Sequence, residues 1–239
     1  MAEPFLSIVV PAYNEARRIR STLERLCDFK ESEPYSIELM VVDDGSTDQT
    51  VETVSQFPAV RLVGNDRNHG KGFTVRHGVL EARGEFVLFT DADLSTPIEE
   101  VDKLLAALQS SGADAALGSR ALNRELIGIH QPLFRDMAGR FFNLLVRVFT
   151  GLRFCDTQCG FKLFRRTSTR RAFEMLQVEG FGFDPELLFL IERQGGRALE
   201  VPVRWDDDPA SKVRFFRDSA RMFLDLMAIR WRAFTGKYQ

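Results

Sequence analysis

Two aspartates stand two residues apart in Asp91-Ala92-Asp93, directly after the apolar run from Glu85 to Thr90. If the chain is still extended there, both side chains point to one face and their carboxylates converge on a single ion. Magnesium takes one or two carboxylates together with phosphate oxygens and water. The chemistry suggested is a divalent-cation site facing a phosphorylated substrate, although an Asp-x-Asp pair alone describes a solvated turn equally well. Asp43-Asp44-Gly45-Ser46 closes another apolar run. A carboxylate at such a place accepts hydrogen bonds from a base N–H or from ribose hydroxyls, and Gly45 permits a positive φ or a close backbone approach. An acidic turn capping the next helix would read the same way. In Asn68-His69-Gly70-Lys71-Gly72, small residues and a cation precede a helical stretch. That suits phosphate binding. The spacing is not that of a Walker loop, and a flexible loop is the bland alternative.

The elements that must position these groups follow from periodicity. Residues 5–10 read as a buried strand stopped by Pro11, and a helix runs to about Phe29 with Ile19, Leu23 and Leu26 at helical spacing. Residues 37–42 form a second strand, Thr47 to Gln56 a short helix capped by Ser46 or Thr47, and Val60 to Val63 a third strand. Lys71 to Ala82 is helical, Glu85 to Thr90 is a strand, 98–110 is a helix, and Ala113 to Gly118 is a fifth strand. Strands alternating with helices over 5–118 predict an α/β fold with a mostly parallel central sheet flanked by helices. Ligands bind such sheets outside the carboxyl ends of the strands, where these polar groups fall. Later segments are less regular: a helix over 134–149, a loop and strand over 153–164, a helix over 185–193, a strand over 198–203 and a last helix over 215–234.

Composition sets the bounds. A chain of 239 residues suits one domain with a large core. With 44% hydrophobic and 28% charged residues it is not a disordered chain. A net charge of −2 provides no field for nucleic acid, so no nucleic-acid partner is expected. Cys27, Cys155 and Cys159 make an odd count with no secretory signal, which predicts reduced thiols in a cytoplasmic protein. No apolar run approaches the roughly 18 residues that span a bilayer.

Pro11-Ala12-Tyr13-Asn14-Glu15, Asp43-Asp44-Gly45-Ser46, Gly70-Lys71-Gly72, Asp91-Ala92-Asp93 and Gly118-Ser119-Arg120 resemble, in order and spacing, the family 2 inverting glycosyltransferases of GT-A fold. The run Asp156-Thr157-Gln158-Cys159-Gly160-Phe161-Lys162 narrows the resemblance to the dolichyl-phosphate β-glucosyltransferases and their prokaryotic relatives. It covers essentially the whole chain and implies a single glycosyltransferase domain, 1–239. Residues 1–120 would be the nucleotide-sugar half and 121–239 the acceptor half. The resemblance implies UDP-glucose as donor, a polyprenyl or dolichyl monophosphate as acceptor, and Mg2+ or Mn2+ as cofactor. Carried over by position, Pro11, Tyr13 and Glu15 border the nucleotide, Asp43 binds uracil or ribose, and Lys71 lies by the nucleotide or diphosphate. Asp91 and Asp93 are the metal and sugar-nucleotide residues, and Gln158 belongs to the sugar pocket. Arg120 faces the acceptor phosphate. Ser211-Lys212 resembles a pair that reaches phosphate, although the glycine common before it is Ala210 here. The eukaryotic members also carry an N-terminal membrane anchor that this sequence does not show.

A lipid monophosphate has a second pKa of about 6 and is largely ionised near neutrality. It attacks without a general base, and needs positioning and cations to offset repulsion between phosphates. Arg120, Arg135 and Lys212 are the candidates. Asp184, where other members put a base, is assigned to sugar positioning. A helix cap ahead of Pro185 is the other reading. The helix at 134–149 offers Phe134, Ala138, Phe141, Leu145 and Val148 between Arg135, Arg140 and Arg147. That at 215–234 offers Phe216, Phe223, Met227 and Phe234, with Phe215, Met222, Leu226 and Ile229 beside them. Arg214, Arg217, Arg221, Arg230, Arg232 and Lys237 surround this face. Basic amphipathic helices with aromatics lie in a bilayer interface or pack on a core. With a lipid acceptor implied, peripheral attachment to the cytoplasmic leaflet is expected, and a membrane-protein partner is compatible with it. The competing assignments are GDP-mannose as donor, another acceptor class, a non-catalytic nucleotide-sugar-binding partner of a membrane complex, and a nucleotidyltransferase.

Overall fold

The computed structural model describes residues 3–208 and 215–238. Side-chain alternation along the strands decides the architecture. On β1 (Leu6–Ala12), Leu6, Ile8 and Val10 join one apolar cluster while Val9 joins the other. The strand is therefore covered on both faces. After it come α1 (Ile19–Ser32), β2 (Ile37–Asp43), α2 (Thr50–Val54), β3 (Val60–Gly64), α3 (Lys71–Glu81), β4 (Phe86–Thr90), α4 (Val101–Ser111) and β5 (Ala115–Ser119). The second half contains β6 (Ile127–Ile129), α5 (Leu133–Thr150), β7 (Phe161–Arg165), α6 (Arg166–Met175), α7 (Phe183–Arg193), β8 (Ala198–Pro202), β9 (Trp205–Asp206) and α8 (Phe215–Phe234).

The main sheet has the order β3-β2-β1-β4-β7-β5-β8, and β6 pairs separately with β9. All pairings in the main sheet are parallel except those of β7, which runs antiparallel to both β4 and β5. That inserted strand brings the loop before it, 155–160, to the carboxyl end of β4. Residues of α1 and α4 pack with Ile8, Leu88 and Leu163 on one face. Residues of α3, α6 and α7, with parts of α5 and α8, pack with Val9, Phe89 and Phe164 on the other.

Several boundaries differ from the sequence reading for physical reasons. Pro11 does not end β1: it pairs in register with Val42. The β1–β4 pairing stops at Val9, so on that side there is no ladder for the proline to interrupt. The helix expected over 47–56 shrinks to α2, because Asp48 and Thr50 are tied to the loop after β1. α6 is not predicted by the spacing, since it buries only Thr169, Ala172 and Phe173 on an otherwise polar helix. α7 begins at Phe183 with Gly182 as its cap, so Pro185 falls within its first turn, where proline is tolerated. Residues 209–214 lie outside the description and include Ser211, Lys212 and Arg214, as do the side chains of Phe215, Phe216 and Arg217.

Candidate active site

The carboxyl ends of β1, β2 and β4 converge on one crevice. After β1, Asn14 adopts φ 54. Its amide donates to Ser46 Oγ at 2.8 Å, and its own Oδ1 accepts from the Thr47 amide at 2.8 Å. The Glu15 amide donates to Thr50 Oγ1 at 2.8 Å. The loops carrying Pro11, Tyr13 and Glu15 and carrying Asp43 are thus one cross-linked unit. Asp43 is buried, accepts from the Ser46 amide at 3.0 Å, and leaves Oδ1 buried without a protein partner. A buried acceptor without a protein donor can take one from a ligand or from water. Asp44 is instead saturated by protein. It accepts from Asn65 Nδ2 at 2.7 Å, the His69 amide at 3.0 Å and the Gly70 amide at 2.8 Å, which pins the loop before α3.

Gly70 sits at φ +113, and a Cβ there would fall 2.6 Å from the Glu179 carbonyl oxygen. That carbonyl accepts from the Gly72 amide at 2.7 Å. The segment around it is held by the fully buried Glu186, which accepts from the Gln177 and Val178 amides at 2.9 and 2.6 Å. Arg232 and Tyr238 at the C-terminal end bond the same carboxylate. These contacts aim Lys71 at Asp91, with Nζ 2.7 Å from Oδ1. Burial would lower the Lys71 pKa, but the charges of Asp91, Asp184 and Asp93 hold it above the ordinary lysine value.

Asp91 and Asp93 do not lie on an extended strand. β4 ends at Thr90 and residues 92–93 form a turn followed by Leu94 at φ 47. The expectation that strand alternation aligns them is corrected: the turn brings them together. Burial, and then the nearby Asp91 charge, raise the Asp93 carboxyl above its usual range. Asp93 accepts from the Ser95 amide at 3.0 Å and faces Arg18 Nη1 at 3.8 Å. Arg18 also pairs with Glu15 and Asp208. Gly160 closes the other side, where a Cβ would lie 1.9 Å from Asp91 Oδ2. Two partly exposed, mutually repelling carboxylates fit a hard cation that also takes phosphate oxygens. Among the described residues there is no cluster of three or more metal-ligating side chains.

Below this crevice, Asp184 pairs with the fully buried Lys162 at 2.7 Å. Asp184 does not cap α7. Burial raises its carboxyl pKa, with Lys162 and Lys71 opposing. Beyond the carboxyl end of β5, Arg120 forms a two-pronged pair with Asp156, Nε to Oδ2 at 2.7 Å and Nη2 to Oδ1 at 2.8 Å. Burial would raise the Asp156 carboxyl, but the Arg120 guanidinium holds it down at about 2. Burial pushes the Cys159 thiol up to about 11, which suits a packing residue rather than a nucleophile.

Arg120 and Asp156 form one wall of a cavity of about 250 Å3, shared with Gln158, Trp205, Arg124 and Arg140. Gln158 Nε2 is buried and without a protein partner. Arg124 and Arg140 both pair with Asp136, at 3.0 and 3.1 Å. Arg135 does not line this cavity. Of the residues expected from the sequence, Asp91, Asp93, Lys71 and Asp43 therefore come together, and Arg120 with Gln158 stands beside them, near enough for the Asp91 charge to act on Arg120. Lys162, Arg18 and Arg124 were not expected at the site, and Arg140 was expected only on the flank of the amphipathic helix. A lysine inside the otherwise apolar run 161–164 was the available signal for the first.

Leu133, Met137, Phe141, Leu144 and Val148 of α5 are exposed, as are Leu224, Met227, Trp231 and Phe234 of α8. Of the expected α5 face, Phe134, Phe141 and Val148 are exposed, while Leu145 packs partly against the core and Leu144 faces outward instead. On α8, Leu226 and Ile229 are core residues. Phe149 and Phe223 meet edge-on at 5.7 Å and join the two helices. Among the described residues no helix is long and apolar enough to cross a membrane.

The mostly parallel sheet with its polar groups gathered outside the strand ends matches solved GT-A glycosyltransferases in fold. Glucosyl-3-phosphoglycerate synthase from Mycobacterium tuberculosis, solved with uridine diphosphate, superposes with a TM-score of 0.67 at 19% identity, over 95% of this chain and 80% of that one. The family model Glycosyl transferase family 2 matches residues 7–173, and the chain belongs to that family. Dolichyl-phosphate beta-glucosyltransferase from Saccharomyces cerevisiae is 36% identical over 99% of this chain and 77% of its own length. The Drosophila melanogaster protein of the same name is 38% identical over 98% and 77%.

Proposed function

We propose that this chain transfers glucose from UDP-glucose to a polyprenyl or dolichyl monophosphate, with inversion, on the cytoplasmic face of a membrane. The similarity to the dolichyl-phosphate beta-glucosyltransferases supports the donor and acceptor classes. The observation that carries the reading is the continuity of an arginine-lined cavity with an exposed apolar face: α5 contributes Asp136 and Arg140 to the first and Leu133, Phe141 and Leu144 to the second. A phosphate in that cavity can keep its lipid tail in the bilayer interface. Residues 1–120 then supply the nucleotide and diphosphate contacts, and 121–239 most of the acceptor side, with Arg120 reaching toward the acceptor and Asp184 and Gln158 toward the sugar.

Asp43 receives a donor from the base or ribose, and Pro11, Tyr13 and Glu15 border the nucleotide. Lys71 sits by the diphosphate. Asp91 and Asp93 would hold a magnesium or manganese ion, whose charge neutralises the departing nucleoside diphosphate. Asp184 and Gln158 orient the sugar. Arg120, Arg124 and Arg140 offset the charge of the incoming phosphate, which is already ionised and needs no base. No acid–base role falls on any carboxylate. The test incubates the protein with labelled UDP-glucose and polyprenyl phosphate. Label in the lipid phase supports the reading, and label from GDP-mannose alone overturns the donor assignment. Flotation with anionic liposomes tests the attachment, and protein left in the bottom fraction contradicts it.

A further inference from the structure

Lys162 is fully buried, yet it stands on the central strand β7. It lies in register with Phe89 of β4 and with Leu117 of β5. Its neighbours Phe161 and Leu163 face the α1 and α4 side, so the lysine points to the opposite face with Phe164. A lysine there loses its hydration, which costs several kcal/mol unless partners replace the water. Its partners are the Asp184 carboxylate at 2.7 Å and the Cys159 carbonyl oxygen, beside the Phe89 ring at 5.8 Å. An apolar side chain of similar length fills such a space without that cost, so stability gives no reason for the charge.

A second pair stands on the same ring. Lys71 Nζ is 5.3 Å from the Phe89 centroid and 2.7 Å from Asp91. The two pairs feel each other, because Asp184 acts on Lys71 and Asp91 acts on Asp184. They differ in access: Lys71 and Asp91 keep 21% and 32% of their side chains exposed, Lys162 and Asp184 only 0% and 6%. The upper pair is open to a ligand; in the lower pair the lysine is fully sealed, and only an edge of the Asp184 carboxylate reaches the crevice floor.

We propose that Lys162 is a positioning residue for glucosyl transfer: through its ion pair it fixes the direction of the Asp184 carboxylate, and so the seat of the sugar beside Lys71 and Asp91. This rests on the reading of Asp184 as part of the sugar pocket. A double-mutant cycle on the full chain tests it, reading kcat and KM with UDP-glucose and polyprenyl phosphate. UDP affinity by calorimetry reports whether the donor crevice is intact. Asp184→Asn and Lys162→Met should each lower kcat on the order of 10²-fold. The double variant should be no slower than Asp184→Asn alone within about twofold, because one residue acts through the other. UDP affinity should stay within about threefold, since the nucleotide contacts lie elsewhere. Losses that multiply in the double variant overturn the proposal, as does a wild-type kcat in Lys162→Met beside a slow Asp184→Asn. Full activity in Asp184→Asn instead removes the reading of Asp184. If Lys162→Met does not fold, Lys162→Gln keeps a hydrogen-bond donor and closes the same cycle.

Discussion

On the donor side, charged groups are tied to one another and to the backbone: Asp44 takes three hydrogen bonds and Lys71 is locked to Asp91. On the acceptor side, Arg124 and Arg140 share one carboxylate at the rim of an open cavity, and the helix beneath them exposes Leu133, Phe141 and Leu144. The difference follows from what each side would bind. A nucleotide is small, polar and rigid, so a preorganised cage serves it. A lipid phosphate arrives with its tail in another phase, so the surface facing it stays apolar and unpacked by protein.

If that contrast is right, damage to the two sides has different signatures. The largest effect is expected on the donor side. Asp91→Ala or Asp93→Ala should cut kcat on the order of 10²- to 10³-fold, as for loss of a group that meets developing charge, in an assay at saturating donor. Next is the pair joining the two sides. Asp156→Asn leaves the Arg120 guanidinium without its counter-charge, and thermal or denaturant unfolding should reveal a loss of about 2–3 kcal/mol, reduced by the partial exposure of Arg120. The same pair sets an acid limit. The folded-state Asp156 pKa of about 2 lies below its unfolded value, so its contribution is complete above roughly pH 4 and is lost as pH falls through about 2. Acid titration of stability should have a shallower fall in Asp156→Asn over that window.

Acceptor-side changes should be milder and confined to the lipid. Arg140→Ala should raise the acceptor KM about tenfold, the scale of one charge-assisted contact, while Arg135→Ala shifts it by less than about threefold. Phe141→Ser with Trp231→Ser should abolish flotation with anionic vesicles. Since both residues are exposed, stability should move by no more than about 1 kcal/mol in a denaturant melt.

Much of the donor half was legible because strands buried on both faces leave long apolar runs, with Asp43 and Asp91 at their ends and Lys71 at the start of α3. The antiparallel insertion of β7 was not legible: its apolar run says nothing about direction or partner. Lys162 was hidden by the same fact, since its burial depends on β4 and β5 flanking it. The geometry of the Asp91–Asp93 segment was misread, because spacing alone favours an extended chain where Leu94 takes a positive φ. On α5 the exposed face was read correctly at Phe134, Phe141 and Val148, but the outward Leu144 and the partly buried Leu145 were not, because adjacent apolar residues leave the exact edge of the face open. α6 carried too few apolar residues to leave a period.

The most direct measurement follows transfer of labelled glucose from UDP-glucose to polyprenyl phosphate in anionic vesicles, before and after chelation of divalent ions and after manganese is restored. The account predicts lipid-phase label that disappears on chelation, returns with manganese, and forms at least about 10²-fold more slowly in Asp93→Ala. Transfer at an undiminished rate, either in the presence of chelator or in Asp93→Ala, would contradict the assignment of Asp91 and Asp93 as the groups that manage phosphate charge.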